Sequence, residues 1–426
     1  MAITSALLLG TGFAVQSQPV PTPSQDPRLT KAEQLISEAR AARETRDLKQ
    51  AILISYKALA LQEQVFGPEH SSVADSLSFL AALHQESGEY AKALPLRQRA
   101  LKSYEGVYGP DDADVAVALG NLAGLYRDMG EYARALPLYQ RRLAIYEKLR
   151  GREHLSVAIS LNDLGELYRE LGEYGKALPL LQRSHSIYRN LRGEEHGNVA
   201  TSLNSLAGLY RAMGDYAKAL LLYQRSLAIF ENAYGPEDTY VAISVNNLAL
   251  LYQDAGEYEK SLALFQRSLA IREKRLAGEH PSIATSIYNL AGLYREMGEQ
   301  RKALPLYLRG LAIDEKAYGP EHPRVANALN AIALLRQDMG EYASALESYQ
   351  RSLAIREKML GGLSLGVAGS LENMAGLYHA IGDYAKALPL YERGLEIRKK
   401  LLGPEHPDVA TSLNNLAKLY HDMGAR

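Results

Sequence analysis

One landmark returns every 42 residues, and no insertion or deletion interrupts it. It reads GPEH at Gly67, GPDD at Gly109, GREH at Gly151, GEEH at Gly193 and GPED at Gly235. It goes on as AGEH at Ala277, GPEH at Gly319, GGLS at Gly361 and GPEH at Gly403. Eight complete units therefore fill residues 67–402, and a ninth occupies 403–426 half-finished. Residues 25–66 fit the frame loosely, with Ala39 and Ala51 on small-residue positions and Arg46 where a turn glycine belongs. They read as a degenerate first unit, the usual form of a terminal repeat with one face to water.

The period inside a unit is helical. Leu203, Leu206, Ala207 and Tyr210 are spaced i, i+3, i+4, i+7, one face of a helix. Gly214 is placed to end that helix in left-handed geometry, and Asp215 to cap the next. Tyr216, Ala219, Tyr223, Leu227 and Ile229 carry a second apolar stripe up to Gly235-Pro236. Each unit is thus expected to be two antiparallel helices, the second longer, with essentially no strand. Alanines such as Ala123, Ala207, Ala249 and Ala291 let the paired backbones approach. Tyrosines such as Tyr126, Tyr210, Tyr252 and Tyr294 fill the gap to the next unit. Because both faces of a pair are apolar, stacking is required, and stability is expected to be nearest-neighbour additive.

Composition narrows the chemistry. The chain has no cysteine, which excludes disulfides, thiolate nucleophiles and cysteine-bound metals. Twenty-eight tyrosines against five phenylalanines and no tryptophan reflect the copying of one pattern. Lys plus Arg total 48 against 49 Asp plus Glu, a net charge of -1 that argues against a nucleic-acid arm or a polybasic membrane anchor.

The run Leu-x-x-Leu-Ala-x-x-Tyr, then Gly-[Asp/Glu]-Tyr, then Ala-Leu with a tyrosine four residues after the alanine, resembles the tetratricopeptide repeat. The 42-residue length, LNNLAxLY from Leu413 to Tyr420, ALPLYxR from Ala387 to Arg393 and GPEHPDVA from Gly403 to Ala410 resemble the kinesin light chain subgroup in particular. The family's tryptophan at the fourth position is replaced by aliphatics such as Leu119 and Leu203. The resemblance implies an all-α, right-handed superhelical solenoid of antiparallel helix pairs. It implies a concave groove lined by the first helix of each pair, where an extended peptide or a partner's helix binds, and neither cofactor nor catalysis.

In that frame, two asparagine columns face the groove. Asn162, Asn204, Asn246, Asn330 and Asn414 stand at the fifth position, and Asn121, Asn247, Asn289, Asn373 and Asn415 at the sixth. An amide both donates and accepts, so a column of them suits a peptide backbone; the alternative is that they bridge neighbouring helices or face water. Arg127, Arg169, Arg211 and Arg295 follow at position twelve, with Asp128, Glu170, Asp254 and Glu296 at thirteen. They read either as bidentate holders of an acidic peptide or as an ion-pair ladder between units, and the ladder is the favoured reading. Gly124, Gly208, Gly292 and Gly376 leave the floor bare, for a ligand or simply for the next helix.

Other signals are discounted. His70, His154, His196, His280, His322 and His406 recur one helix layer apart, too far to share a metal ion, and read as helix caps. Gly10-Thr11-Gly12 lacks the context of a phosphate loop. Pro95, Pro137, Pro179, Pro305 and Pro389 share a place inside the second helix and predict a small bend. The unit from Gly361, and Arg336 in a tyrosine's place, read as drift of single copies. A catalytic site needs unlike residues converging once, whereas nearly every polar feature here is repeated.

Residues 1–24 form an apolar leader and a Pro/Gln/Ser linker. Ile3 to Val15 is too short to span a bilayer and has the length of a signal-peptide core, although no basic residue precedes it. Export is favoured over a cytosolic leader. Leu413, Leu416, Leu419 and Tyr420 carry a full stripe with no partner helix, as expected of a chain that continues in its parent. The leading function is a non-enzymatic interaction scaffold with a protein or peptide in its groove. The alternatives are the sensor arm of a larger effector and a structural spacer.

Overall fold

A computed structural model describes residues 26–276 and 278–424. The leader and linker of residues 1–24 lie outside them. Nineteen helices follow one another, and no strand occurs among the described residues. They run in pairs: α1 (Pro27–Glu44) with α2 (Leu48–Phe66), α3 (Ser71–Glu86) with α4 (Tyr90–Tyr108), and α5 (Ala113–Asp128) with α6 (Tyr132–Arg150). Next come α7 (Leu155–Glu170) with α8 (Tyr174–Arg192), α9 (Gly197–Ala212) with α10 (Tyr216–Tyr234), and α11 (Thr239–Asp254) with α12 (Tyr258–Arg275). The last are α13 (Pro281–Glu296) with α14 (Gln300–Tyr318), α15 (Pro323–Asp338) with α16 (Tyr342–Leu360), and α17 (Leu365–Ile381) with α18 (Tyr384–Leu402); α19 (Pro407–Gly424) stands alone.

The boundaries have local causes. Each first helix opens on a side chain that accepts a backbone N–H of its first turn. Nδ1 of His70, His154, His196, His280, His322 and His406 does so two residues ahead, as Asp112 and Asp238 do with a carboxylate oxygen. Gly214 sits at φ 78° and Gly235 at φ 86°, left-handed turns that glycine adopts without Cβ strain. Arg46 takes the same place at φ 62°, the one non-glycine so placed among the described residues. At the start of the second helix, Asp215 and Asp383 cap the N–H groups of Lys218 and Lys386. The longer Glu89, Glu131, Glu173, Glu257 and Glu299 make no cap and pair with the residue three ahead, as Glu131 does with Arg134 at 2.6 Å.

Packing follows the small-large pattern. Ala123, Ala207, Ala249 and Ala291 are fully buried; Ala123, Ala207 and Ala291 share their buried layers with Ala135, Ala219 and Ala303 of the second helices, and the Ala249 carbonyl accepts from Ser261 at 2.9 Å. Ser184, Ser226, Ser268 and Ser352 donate from the second helix to the carbonyls of Ala158, Ala200, Ala242 and Ala326 over 2.7–2.8 Å, one rung per unit. Tyr126 lies under Arg134, and Tyr210, Tyr252 and Tyr294 under Lys218, Lys260 and Lys302. Where Arg336 replaces the tyrosine, the lysine is replaced too, and Arg336 bonds Ser344 O at 3.3 Å and Ser348 Oγ at 3.1 Å instead. What reads as drift of one residue is a paired change. The prolines do not shorten their helices: α4, α6, α8, α14 and α18 have the same 19 residues as proline-free α10 and α16.

Units do not meet only their sequence neighbours. The array coils until its second turn rests on its first, with α4 against α16 and α6 against α18. Gly88 packs on Pro323, Gly130 on Leu365 and Gly172 on Pro407, all at a constant offset of 235 residues. One rung earlier, the Arg46 guanidinium lies 3.1 Å from His280 Nε2.

Two glycines give a stability test. A Cβ on Gly310 would stand 2.3 Å from the Tyr288 ring, which is pinned by its hydroxyl's bond to Asp314 at 3.0 Å. A Cβ on Gly106 would meet nothing within 4 Å. Gly310→Ala is expected to destabilise its unit by about 1–3 kcal/mol through overpacking. Gly106→Ala is expected to stabilise by about 0.5–1 kcal/mol through helix propensity. Urea denaturation followed by circular dichroism distinguishes the two signs.

Candidate functional site

The first helices lie side by side, so their polar faces form continuous columns. Asn289 Nδ2 donates to Asn246 Oδ1 over 2.8 Å, and Asn373 Nδ2 to Asn330 Oδ1 over 3.1 Å. Asn204 Nδ2 donates to Ser244 Oγ over 3.2 Å. Each of these bonds joins consecutive first helices, so these amides bridge the units. Asn246 is only 7% exposed. Asn121 and Asn247 are half-buried. Asn162 and Asn204 each hold a buried carbonyl oxygen with no hydrogen-bond partner, an unmet acceptor of the kind a ligand N–H satisfies.

The arginines engage the chain's own carboxylates. Arg211 Nε reaches Asp254 at 2.5 Å, Arg295 reaches Asp338 at 2.5 Å, and Arg127 stands 3.9 Å from Glu170. Each pair runs from position twelve of one unit to position thirteen of the next. The same rung is Gln85 to Asp128 at 2.6 Å and His379 to Asp422 at 2.8 Å in other units. Arg169 finds Ala212 where its partner belongs and turns to Glu166 of its own helix at 2.7 Å. Burial raises the Glu170 carboxyl above its ordinary range, against the pull of Arg127 and Arg169.

A second ladder escaped the sequence reading. Arg99, Arg141, Arg183, Arg267, Arg309, Arg351 and Arg393 each reach a glutamate 36 residues earlier, from Glu63 to Glu357, at 2.5–2.7 Å. The signal was visible: arginine recurs in the YQR stretch of the second helix at the 42-residue step. Arg225 finds Arg189 at that offset and pairs with Glu195 instead.

The inner column of the second helices also changes along the chain. Tyr104, Tyr146, Tyr188 and Phe230 give way to Arg272, Asp314, Arg356 and Arg398 at the same position. Asp314 is fully buried, bonded by Tyr288 Oη and by Arg324 Nε at 3.1 Å, and burial raises its carboxyl. Arg356 has no carboxylate partner; it donates to Gly366 O, Ser370 Oγ and Asn327 Oδ1 at 2.6–2.7 Å, and burial lowers it to about 10. These charges are confined to the last four second helices, and the reading of the whole array passed over them.

One hollow of about 390 Å³ opens between α7, α9 and α11, with α10 behind it. Asn204, Asn247, Arg169 and Arg211 line it, together with Tyr223, Phe230, Tyr240 and Ile243. It brings together four of the asparagines and arginines singled out from sequence. Asn162 and Asn246 lie outside it on α7 and α11, and Asn121, Arg127, Asn289, Arg295, Asn330 and Asn373 lie on the other first helices, α5, α13, α15 and α17. Phe230 and Tyr240 stack at 5.4 Å between ring centres, and Tyr240 and Ile243 are exposed. Gly208 lines the hollow too, the Tyr223 hydroxyl standing 3.6 Å from where its Cβ would be. Among the described residues no three His, Asp or Glu side chains are grouped to hold a metal ion, and no helix is long and apolar enough to cross a membrane.

The profile of the tetratricopeptide repeat matches the chain over residues 35–105, 72–148, 114–190, 156–232, 240–316, 305–358 and 366–425. The chain belongs to the tetratricopeptide repeat family. The 42-residue unit is the feature of its sequence that resembles the kinesin light chain subgroup. It is similar to a Podosopora anserina structure described as a putative kinesin light chain with nearly identical TPR-like repeats, at 29% identity and TM-score 0.40 over 48% of this chain and 98% of that one. It is similar to BtubC (BKLC) from P. vanneervenii at 25% identity and TM-score 0.42, over 58% and 91%. A Rap protein complexed with competence and sporulation factor aligns over 88% and 98% at TM-score 0.52 and 15% identity, a likeness of fold. No curated protein matches the chain in sequence. A tetratricopeptide array is a protein-interaction scaffold, and such modules are generally non-catalytic.

The amide bridges carry a measurable coupling. Asn246→Ala and Asn289→Ala are each expected to destabilise the array by about 0.5–1.5 kcal/mol. The double variant is expected to lose less than the sum, because both singles remove one bond. A double-mutant cycle on urea denaturation reads the difference.

Proposed function

We propose that this tetratricopeptide array holds an extended peptide of a protein partner, seated over the hollow between α7, α9 and α11. The observation that carries the reading is the buried, unpartnered Asn204 Oδ1 beside Asn247, in a cavity whose other wall is Phe230, Tyr240 and Ile243. The amides suit the N–H and C=O groups of a peptide backbone, and the aromatic wall suits one large apolar side chain. Because Arg169 and Arg211 are already paired with Glu166 and Asp254, the site favours a peptide without a strong net charge. The asparagines that bridge α11 to α13 and α15 to α17 hold the groove's shape, and Asn204 and Asn247 meet the ligand.

A displayed library of random peptides tests this with the full chain as bait. Enriched sequences are expected to carry an aromatic or large aliphatic residue. Asn204→Ala with Asn247→Ala is expected to weaken them about tenfold or more, from the loss of about 0.5–1.5 kcal/mol per hydrogen bond. Tyr240→Ala is expected to relax the preference for the apolar residue. Peptides that bind the double variant as tightly as the parent, or a screen that enriches nothing, would overturn the proposal.

A further inference from the structure

Six histidines cap first helices in the same way, yet they differ in their surroundings, and His322 is the most buried of them. His70, His154 and His196 are exposed, whereas His322 is 6% exposed. The cause is the second superhelical turn: His322 and Pro323 are pressed onto Gly88 of the first turn, where a Cβ would stand 2.4 Å from Pro323 Cδ. His322 is therefore buried by the seam, and opening the seam exposes it.

Its ring has no room for a second proton. Nδ1 accepts the Arg324 backbone N–H at 3.1 Å, so the ring's proton sits on Nε2, which faces the Glu86 carbonyl oxygen at 3.3 Å. The ring face stacks on Tyr318 at 4.4 Å. Another proton must go to Nδ1. It would displace the helix cap and place a cation in a dry site beside Arg324.

The surrounding charges do not compensate. The cations about the seam hollows are Arg324 on α15, Lys316 on α14, Arg40 and Arg43 on α1, Arg46 and Lys49 at α2, and Arg127 on α5. Most carboxylates nearby are already engaged: Glu86 with Arg43, Glu89 with Lys92 and His84, Asp128 with Gln85, Glu321 with Lys358, and Asp47 as a helix cap, while Glu44 at the end of α1 is exposed to water. One rung away His280 faces Arg46, and burial and that arginine both lower its proton affinity.

We propose that the seam between the superhelical turns is an acid-sensitive latch, in which uptake of a proton by His322 releases the second turn from the first. This goes beyond the groove reading and does not depend on what the groove binds. Burial first, and then Arg324, hold His322 near 4 in the closed seam against an ordinary value of 6.5. The closed value is the lower one, so closure is undiminished above 6.5. Between 6.5 and about 4 the closed-to-open ratio falls about tenfold per pH unit.

The cysteine-free chain makes the test clean. Lys49→Cys and Lys316→Cys, exposed positions lining the same seam hollow, carry a spin-label pair. Their separation is measured by double electron–electron resonance at pH 7.5 and 5.0, with circular dichroism alongside. The parent is expected to show one narrow distance at pH 7.5. At pH 5.0 a longer population is expected, the open-to-closed ratio rising about tenfold or more with helix content unchanged. His322→Asn keeps a cap acceptor and cannot titrate in this range, and is expected to abolish the acid response. Gly88→Val is expected to open the seam at pH 7.5. Gly256→Val, at a like φ of 74° with nothing within 4 Å, is expected to leave it shut. A parent distance that does not move at pH 5.0 overturns the latch. So does an acid response that survives His322→Asn, opening that comes only with loss of helix, or a seam that stays closed in Gly88→Val.

Discussion

The close approach of two helices over an alanine is the contact on which the array depends. With Ala207 or Ala249 fully buried at the crossing, the paired backbones come near enough for a serine of the second helix to reach a carbonyl of the first. Long side chains there would separate the helices and leave that serine buried without an acceptor. The crossing also places the tyrosine at the end of the first helix beneath the lysine of the second, and each pair then offers an apolar face to the next. No single unit can cover that face alone, which is why the copies must stack.

The architecture was legible because every element is announced many times by the same residues. The 3.6 spacing from Leu203 to Tyr210, the left-handed glycine at 214 and the aspartate at 215 each stand where the structure uses them. The loop histidines are the helix caps their position suggested. The groove was less legible. A column of asparagines states that amides line one face, but whether Asn246 reaches Asn289 or a ligand depends on helix separation, which no spacing rule supplies. The arginine-acid ladder was readable in outline, and its break at Arg169 follows from one alanine in the next unit.

Long-range features were not legible at all. The contact of Gly88 with Pro323 depends on the small rotation between units, summed over more than five of them. That rotation is set by side-chain packing and not by the period of the sequence. The charged column of Arg272, Asp314 and Arg356 was hidden for another reason. A reading tuned to repetition treats single departures as noise, although Asp314 is matched by Tyr288, Arg324 and Gly310 together.

The seam has a consequence for how such a chain lengthens. Its three glycine rungs share one offset, because Gly88, Gly130 and Gly172 each meet the opening residue of a helix at the equivalent place in a later copy. Duplicating or deleting a whole brick slides the upper coil by one brick and lands every glycine on an equivalent opening residue. An insertion of any other length puts a side chain or a loop where the two coils must touch. The unbroken copying frame is therefore a condition of mechanical closure, and growth by entire modules leaves that closure intact.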